Sequence, residues 1–151
     1  MKTWRFIVLA LLLTLTGTAL AAENIQWQSY EEGIEQGKIR DKKIFLHFYA
    51  DWCKYCKVMA EKTFTDEDVI GYLNSNYVSI RVDTQENGKI AREYKVSGLP
   101  SNWFIAADGK KIGNQPGYLD ADRLLDILEY VHTESFKAMS FRDFLKNQPD
   151  R

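Results

Sequence analysis

Two cysteines separated by two residues, Cys53 and Cys56, constrain this chain most, and they are its only cysteines. They follow a mostly apolar run over residues 44–49 that is typical of a buried strand. A helical pattern carrying Met59 and Phe64 comes after them. The pair therefore lies at a strand-to-helix junction, where unpaired backbone N–H groups and the helix dipole stabilise a thiolate. A second thiol one turn later can close a short disulfide, so the pattern predicts a redox-active dithiol.

The first 21 residues have the pattern of a signal peptide. Lys2 and Arg5 form a positive segment, residues 6–15 are mostly apolar, and Ala19 and Ala21 place small residues where a signal peptidase cleaves. The apolar run is shorter than the roughly 20 residues that a membrane span needs. We therefore expect export, most simply to a bacterial periplasm, with an uncleaved N-terminal anchor as the alternative.

Cleavage after Ala21 would leave 130 of the 151 residues, which is the size of one domain. Removing Lys2 and Arg5 leaves 18 basic residues against 21 acidic ones, a net charge of −3. The two signs are mixed and form no basic stripe, which argues against nucleic acid as a partner. An exported chain whose only cysteines form one tight pair does not use them as a disulfide scaffold.

Periodicity and turn signals predict an alternation of helices and strands. Strands separated by helices imply parallel pairing, and an Asp-Gly turn at Asp108 predicts an antiparallel hairpin near the end. The expected fold class is α/β, with a central mixed sheet covered by helices on both faces and an extra C-terminal helix. The predicted helices are residues 25–41, the cysteine helix, one capped near Asp66, one around 90–96, one after Asp120 and one after Ser140; the predicted strands are 44–49, 77–82, 103–106 and 111–118.

The segment Tyr49-Ala50-Asp51-Trp52-Cys53-x-x-Cys56-Lys57 resembles the active-site segment of the thioredoxin family. Gly98-Leu99-Pro100 falls where that family has its cis-proline, and Asp108-Gly109 with Gly117 falls at its terminal hairpin. The resemblance covers residues 44–131 and is greatest to the periplasmic C-terminal domain of DsbD-type disulfide-interchange proteins. It implies a thioredoxin-like domain over residues 22–131, followed by a helical extension over 132–151.

The resemblance also implies roles for individual residues. Cys53 would be the exposed nucleophile and Cys56 the buried resolving thiol, which releases the substrate from a mixed disulfide. A cis Pro100 would lie against the cysteines, leaving the backbone of Leu99 to pair with an extended substrate. Trp52 and Tyr55, which flank the cysteines, are expected to line an exposed apolar surface, whereas Trp103 is expected in the core.

The chain departs from the family pattern at three places. His47 stands where thioredoxins bury an aspartate that manages the proton of the resolving cysteine. A neutral imidazole can do the same work, and the competing interpretation is a core histidine bonded to backbone. Ala60 stands where DsbD-like domains have an acid. The intervening pair, Lys54 and Tyr55, lacks the histidine of strong oxidants, which favours a reducing role because the thiolate is less stabilised.

Other interpretations of the cysteine pair are weaker. A metal site needs two more ligands, and His47 and His132 do not have suitable spacing. Haem attachment requires histidine where Lys57 stands. An exported oxidase or isomerase is the main alternative to a reductase, and a non-catalytic binding module of the same fold is another.

The expected partners follow from a reducing role. Disulfide-containing exported proteins would be the substrates of a monomer that needs no cofactor and no metal. On family grounds, a DsbD-like membrane protein would supply the reductant. The aromatic residues between Phe136 and Leu145 are expected to pack on the domain itself, with a partner-binding helix as the alternative.

Overall fold

The five-stranded sheet is the centre of the computed structural model, which describes residues 24–148. The predicted signal peptide therefore lies outside the described residues. The strand order is β1-β3-β2-β4-β5, in which the first three strands are parallel and the last two are antiparallel to their neighbours. This confirms the predicted mixed sheet. The strands are β1 (Trp27–Gln28), β2 (Lys43–Tyr49), β3 (Tyr77–Asp83), β4 (Ser101–Ile105) and β5 (Lys111–Pro116).

The helices begin at polar caps that the sequence supplies. Side-chain oxygens of Ser29, Asp66, Asp120 and Ser140 accept backbone N–H groups of the first turn, as N-cap residues do. No helix among residues 24–148 is long and apolar enough to cross a membrane. The helices are α1 (Tyr30–Arg40), α2 (Lys54–Val58), α3 (Glu67–Asn76), α4 (Gly88–Glu93), α5 (Ala121–His132) and α6 (Phe141–Lys146).

Alternation along the central strand β2 builds two cores. Ile44, Leu46 and Phe48 are buried on one face of the sheet with residues of α1 and α4, which we call the α1 face. Phe45 is buried on the other face with residues of the cysteine helix, α3 and α5, which we call the α2 face. Trp103, expected in the core, packs edge-on against a tyrosine of the α1 face but remains half-buried.

The predicted N-terminal helix over residues 25–41 is wrong in its first turn. Trp27 instead belongs to the short strand β1, where it pairs with Ser79 of β3. The helix begins only after Ser29, whose side chain caps it. Ile39, an apolar residue in the last turn of this helix, is exposed.

The cysteine helix continues as one turn of π-helix, Met59–Thr63, which the apolar spacing did not predict. The N–H of Phe64 bonds the carbonyl of Met59, five residues earlier, at 3.0 Å. Insertions of this kind occur mostly as single turns inside α-helices and are frequent at functional sites. Here the turn ends with the Phe64 ring against Phe45, with centroids 6.2 Å apart.

The C-terminal aromatic residues pack on the same chain, as the first of the two interpretations expected. After α5 the chain forms a 3₁₀ turn, Ser135–Lys137, and then α6. The Tyr130 ring of α5 lies 5.2 Å from the rings of both Phe141 and Phe144, measured between centroids. The Tyr130 hydroxyl donates to the carbonyl of Met139 at 2.6 Å, which fixes the connecting turn.

Candidate active site

The cysteine pair lies where β2 ends and α2 begins, as the sequence predicts. Cys53 has extended backbone angles and caps α2. It is joined to Cys56 by a disulfide, and its Sγ also accepts the backbone N–H of Cys56 at 3.2 Å. The sulfur of Cys53 therefore faces the unpaired N–H groups of the first helical turn. The same N–H groups would stabilise a thiolate there after reduction.

Both cysteines are covered in this disulfide form. Cys53 is 5% exposed and Cys56 is 2% exposed. The expected exposure of Cys53 is therefore wrong for the oxidised chain, because its sulfur is turned into the disulfide and toward the helix N-terminus. Its role as the attacking thiol remains a prediction.

Aromatic side chains surround the pair on the outside. Trp52 and Tyr55 are 70% and 61% exposed, as expected for an apolar surface that is open to a partner. Tyr118 joins them: it is 38% exposed, and its ring centroid lies 6.4 Å from that of Tyr55. Tyr118 was not predicted as part of this surface, although an aromatic residue directly after Pro116 and Gly117 is a usable signal for a surface at that turn.

Pro100 and Leu99 lie at the same end of the sheet as the cysteines. The register of β4 on β2 pairs Ser101 with Phe48, so the residue before Ser101 lies near the point where the cysteine loop leaves β2. The Leu99–Pro100 peptide bond is cis, and the Pro100 carbonyl accepts the N–H of Gly117 at 2.8 Å. Leu99 and Trp52 line a pocket of about 230 Å³ beside this junction.

His47 is fully buried on the α2 face, which is the face covered by the cysteine helix. Its ring meets the Phe64 ring edge-on at a centroid distance of 4.9 Å. Burial lowers the pKa of His47 to about 4, although the hydrogen bond to Asn102 opposes this shift; the positive charge of Arg81 acts in the same direction as burial. The imidazole is therefore neutral at pH 7. Its Nε2 has no hydrogen-bond partner among residues 24–148.

Asn102 is a second site residue that was not predicted from the sequence. It is fully buried, and its Oδ1 lies 2.8 Å from Nδ1 of His47. The signal for it was a polar residue between Pro100 and the apolar run of β4, a position that the pleat places inside the sheet. The competing interpretation, a histidine bonded to backbone, is wrong, because the partner is this side chain.

Metal binding has no support in the described part of the chain. Residues 24–148 contain no group of three or more histidine, cysteine, aspartate or glutamate side chains that could hold a metal ion.

Similarities to known proteins agree with this geometry. The disulfide bond reductase DsbH of Chlamydia pneumoniae is 32% identical over 113 residues, covering 65% of this chain and 68% of that protein. The thiol:disulfide interchange protein DsbD of Campylobacter jejuni is 35% identical over 105 residues, covering 67% of this chain but only 18% of DsbD. A solved DsbH oxidoreductase structure has a TM-score of 0.63 at 26% identity, covering 80% of this chain and 90% of that chain.

A family model described as thioredoxin-like domain matches residues 30–132, which include the cysteine pair, His47 and Pro100. The chain belongs to the thioredoxin-like domain family, and within it this protein is a thiol-disulfide oxidoreductase.

Proposed function

We propose that this protein reduces disulfide bonds of exported proteins in the periplasm. The observation that carries the proposal is the Cys53–Cys56 disulfide at the cap of α2, where the Cys53 sulfur accepts a helix N–H. Two features favour reduction over oxidation. The pair between the cysteines, Lys54 and Tyr55, contains no histidine to stabilise the thiolate further, and the relatives include a disulfide bond reductase.

The reaction proceeds in two exchanges. The Cys53 thiolate attacks one sulfur of the substrate disulfide, so a Cys53–substrate bond forms while the other substrate sulfur leaves as a thiolate and takes up a proton. Cys56, after losing its proton, attacks the Cys53 sulfur and releases the second substrate thiol. Two electrons pass to the substrate, and the enzyme is left with the Cys53–Cys56 disulfide.

We propose that His47 accepts the proton of Cys56 when Cys56 attacks the mixed disulfide. The imidazole lies on the face of β2 that the cysteine helix covers, and it is neutral because burial lowers its pKa. Its free Nε2 is an acceptor with no competing partner among the described residues. A base with these properties accepts the proton at the resolving step and returns it when the dithiol is regenerated.

The substrate surface comprises the residues that frame the disulfide. Trp52, Tyr55 and Tyr118 offer exposed aromatic area, and Leu99 with Pro100 supplies the backbone edge that pairs with an extended substrate segment. Aromatic rings bind apolar side chains of unfolded or partly folded proteins with little sequence specificity.

The compartment and partners follow from the N-terminal segment and the direction of electron flow. Residues 1–21 would direct export and be removed, leaving a monomer in the periplasm. A reductase in that oxidising compartment has to be reduced again, and a membrane reductant donor resembling DsbD would supply the electrons. Nucleic acid has no place in this scheme, because no basic stripe is present.

The division of work between the cysteines is testable with a trap. In the Cys56→Ser protein the attack survives but resolution does not, so mixed disulfides with substrates should accumulate and be visible on non-reducing gels. Cys53→Ser is the matched control and should trap none. If the remaining thiol of the Cys56→Ser protein, Cys53, reacts with iodoacetamide no faster than an ordinary exposed thiol, Cys53 is not the nucleophile.

A further inference from the structure

Asn102 joins three strands through one side chain. Its Nδ2 donates to the carbonyl of Gln115 at 3.1 Å and to that of Gly117 at 3.2 Å. Its Oδ1 faces Nδ1 of His47 at 2.8 Å. Because carbonyl oxygens only accept hydrogen bonds, the NH₂ end of the amide has to point at Gln115 and Gly117. The orientation of the amide is thus determined by its partners.

The fixed amide determines where the proton of His47 lies. The amide oxygen only accepts, so Nδ1 of His47 carries the hydrogen of this bond. A neutral imidazole has one N–H, and Nε2 is therefore the bare nitrogen. This is the same Nε2 that has no partner among the described residues.

The surroundings keep a second proton off Nε2 in the resting protein. Arg81 pairs with His47 in the register of β3 on β2, and its guanidinium lies 4.0 Å from the centre of the Tyr49 ring. The ionisable side chains that neighbour the imidazole include Arg81 on β3 and Tyr49 on β2. Burial disfavours the charged imidazolium and the positive charge of Arg81 adds to this effect, so the ring stays neutral in the resting protein.

We propose that Asn102 is a positioning residue that holds His47 in its Nδ1–H tautomer, so that Nε2 is the nitrogen that accepts the proton of Cys56. The assignment of the acceptor rests on the function proposed above. The tautomer itself does not, since it follows from hydrogen bonds alone. Through its hydrogen bonds to the carbonyls of Gln115 and Gly117, Asn102 also links His47 to the hairpin that ends beside Tyr118.

The tautomer is directly measurable by ¹⁵N NMR of the imidazole in the full-length reduced chain. We expect a protonated Nδ1 and a bare Nε2 in the unmodified protein. Asn102→Leu removes the acceptor and should shift the ring toward the Nε2–H tautomer. An Nε2–H imidazole in the unmodified protein, or an unchanged tautomer in Asn102→Leu, would overturn the proposal.

A second variant covers the case in which Asn102→Leu does not fold. Asn102→Asp keeps an oxygen for Nδ1–H but adds a negative charge, so the tautomer should remain while the pKa of His47 rises. Asn114→Asp, at an exposed position of β5, is the matched control for the added charge and should leave that pKa unchanged. Equal pKa values of His47 in the two variants would contradict a direct Asn102–His47 bond.

The kinetic consequence is measured with oxidised glutathione, which forms a mixed disulfide with Cys53 whichever way electrons flow in the cell. Because a positioned base contributes roughly 10²–10⁴-fold, Asn102→Leu should slow the release of glutathione by about tenfold or more. Formation of the mixed disulfide should be unchanged, and Asn102→Asp should recover much of the release rate. Equal slowing of both steps would reduce Asn102 to a packing role, whereas failure to reduce protein disulfides would refute only the proposed function.

Discussion

His47 shows what one ionisable side chain costs in a core. The ring is enclosed by the aromatic rings of Trp27, Tyr49 and Phe64. Its charged form would therefore lose its hydration, and these rings offer no negative charge in exchange. The chain keeps the ring neutral instead, and Asn102 satisfies one nitrogen. The remaining nitrogen, Nε2, has no hydrogen-bond partner among the described residues. Leaving a buried polar atom unpaired lowers the stability of the fold, and a catalytic role is one explanation for keeping it.

This burial predicts a loss of stability in acid. Burial lowers the pKa of His47 from 6.5 to about 4, so the unfolded chain binds the proton more tightly than the folded one. The folded state therefore has its full stability above pH 6.5, the pKa in the unfolded chain. Its free energy of unfolding decreases as the pH falls toward about 4, the pKa in the folded chain. A difference of this size corresponds to about 3 kcal/mol between pH 7 and 4. Urea unfolding at several pH values measures it.

His47→Gln should flatten that pH profile. His132→Gln is the control, because the pKa of His132 is also lowered by burial but the ring is only partly covered, so most of the slope should remain. A His47→Gln protein that loses as much stability between pH 7 and 4 as the unmodified chain would refute the buried neutral histidine.

The residues that the sequence revealed are those whose chemistry is local. The spacing and residue types of the sequence were enough to identify Cys53, Cys56 and Pro100. They were not enough for Asn102, because its partner His47 lies 55 residues away and only the antiparallel register brings them together. Tyr118 was missed for the same reason: its contact with Tyr55 depends on where the hairpin returns.

At the scale of the elements, α1 lies close to the sheet because two of its buried positions are glycine. A Cβ at Gly37 would lie 2.7 Å from two carbons of Ile44, and one at Gly33 would overlap Ile80. Both isoleucines are fully buried and have little room to move. The two glycines have low helix propensity and weaken the helix, but they allow its close packing on β2 and β3.

Adding a methyl group at Gly37 should therefore destabilise the protein. Gly37→Ala gains up to about 1 kcal/mol of helix propensity but meets overpacking that costs about 1–3 kcal/mol, so the free energy of unfolding should fall. Gly71→Ala in α3 is the matched control, since a Cβ there meets nothing within 4 Å and should stabilise. Denaturant titrations compare the two, and a stabilised Gly37→Ala would show that α1 lies farther from the sheet.

Most elements were predictable because apolar periodicity, caps and turn residues agreed with one another. The exceptions are short or irregular. β1 has two residues and is stabilised by pairing with β3 rather than by its own pattern. The π-helical turn Met59–Thr63 changes the backbone hydrogen-bond spacing without changing which residues are apolar.

In the whole molecule, the segment after α5 packs against α5 and pairs with the sheet. Phe144 is buried against Tyr130, and Arg123 of α5 lies 4.3 Å from the centre of the Phe141 ring. Lys43 of β2 also pairs with Glu134 at 3.3 Å, which ties the sheet to the start of this segment.

Phe144→Ala should accordingly destabilise the entire domain by about 3 kcal/mol, lowering the denaturant midpoint while leaving a single transition. Met139→Ala, at an exposed side chain of the same segment, should change it little. Separate melting of the segment in Phe144→Ala, with the rest of the domain unaffected, would show that it is an independent appendage.

The reduction potential of the Cys53–Cys56 couple distinguishes a disulfide reductase from an oxidase. It is measured by equilibrating the full-length protein with glutathione buffers and quantifying the free thiols. A disulfide reductase requires a potential nearer to that of thioredoxin, about −270 mV, than to that of the oxidant DsbA, about −120 mV. We predict a value near that of thioredoxin; a value near that of DsbA would refute the proposed reductase and make the protein an oxidase.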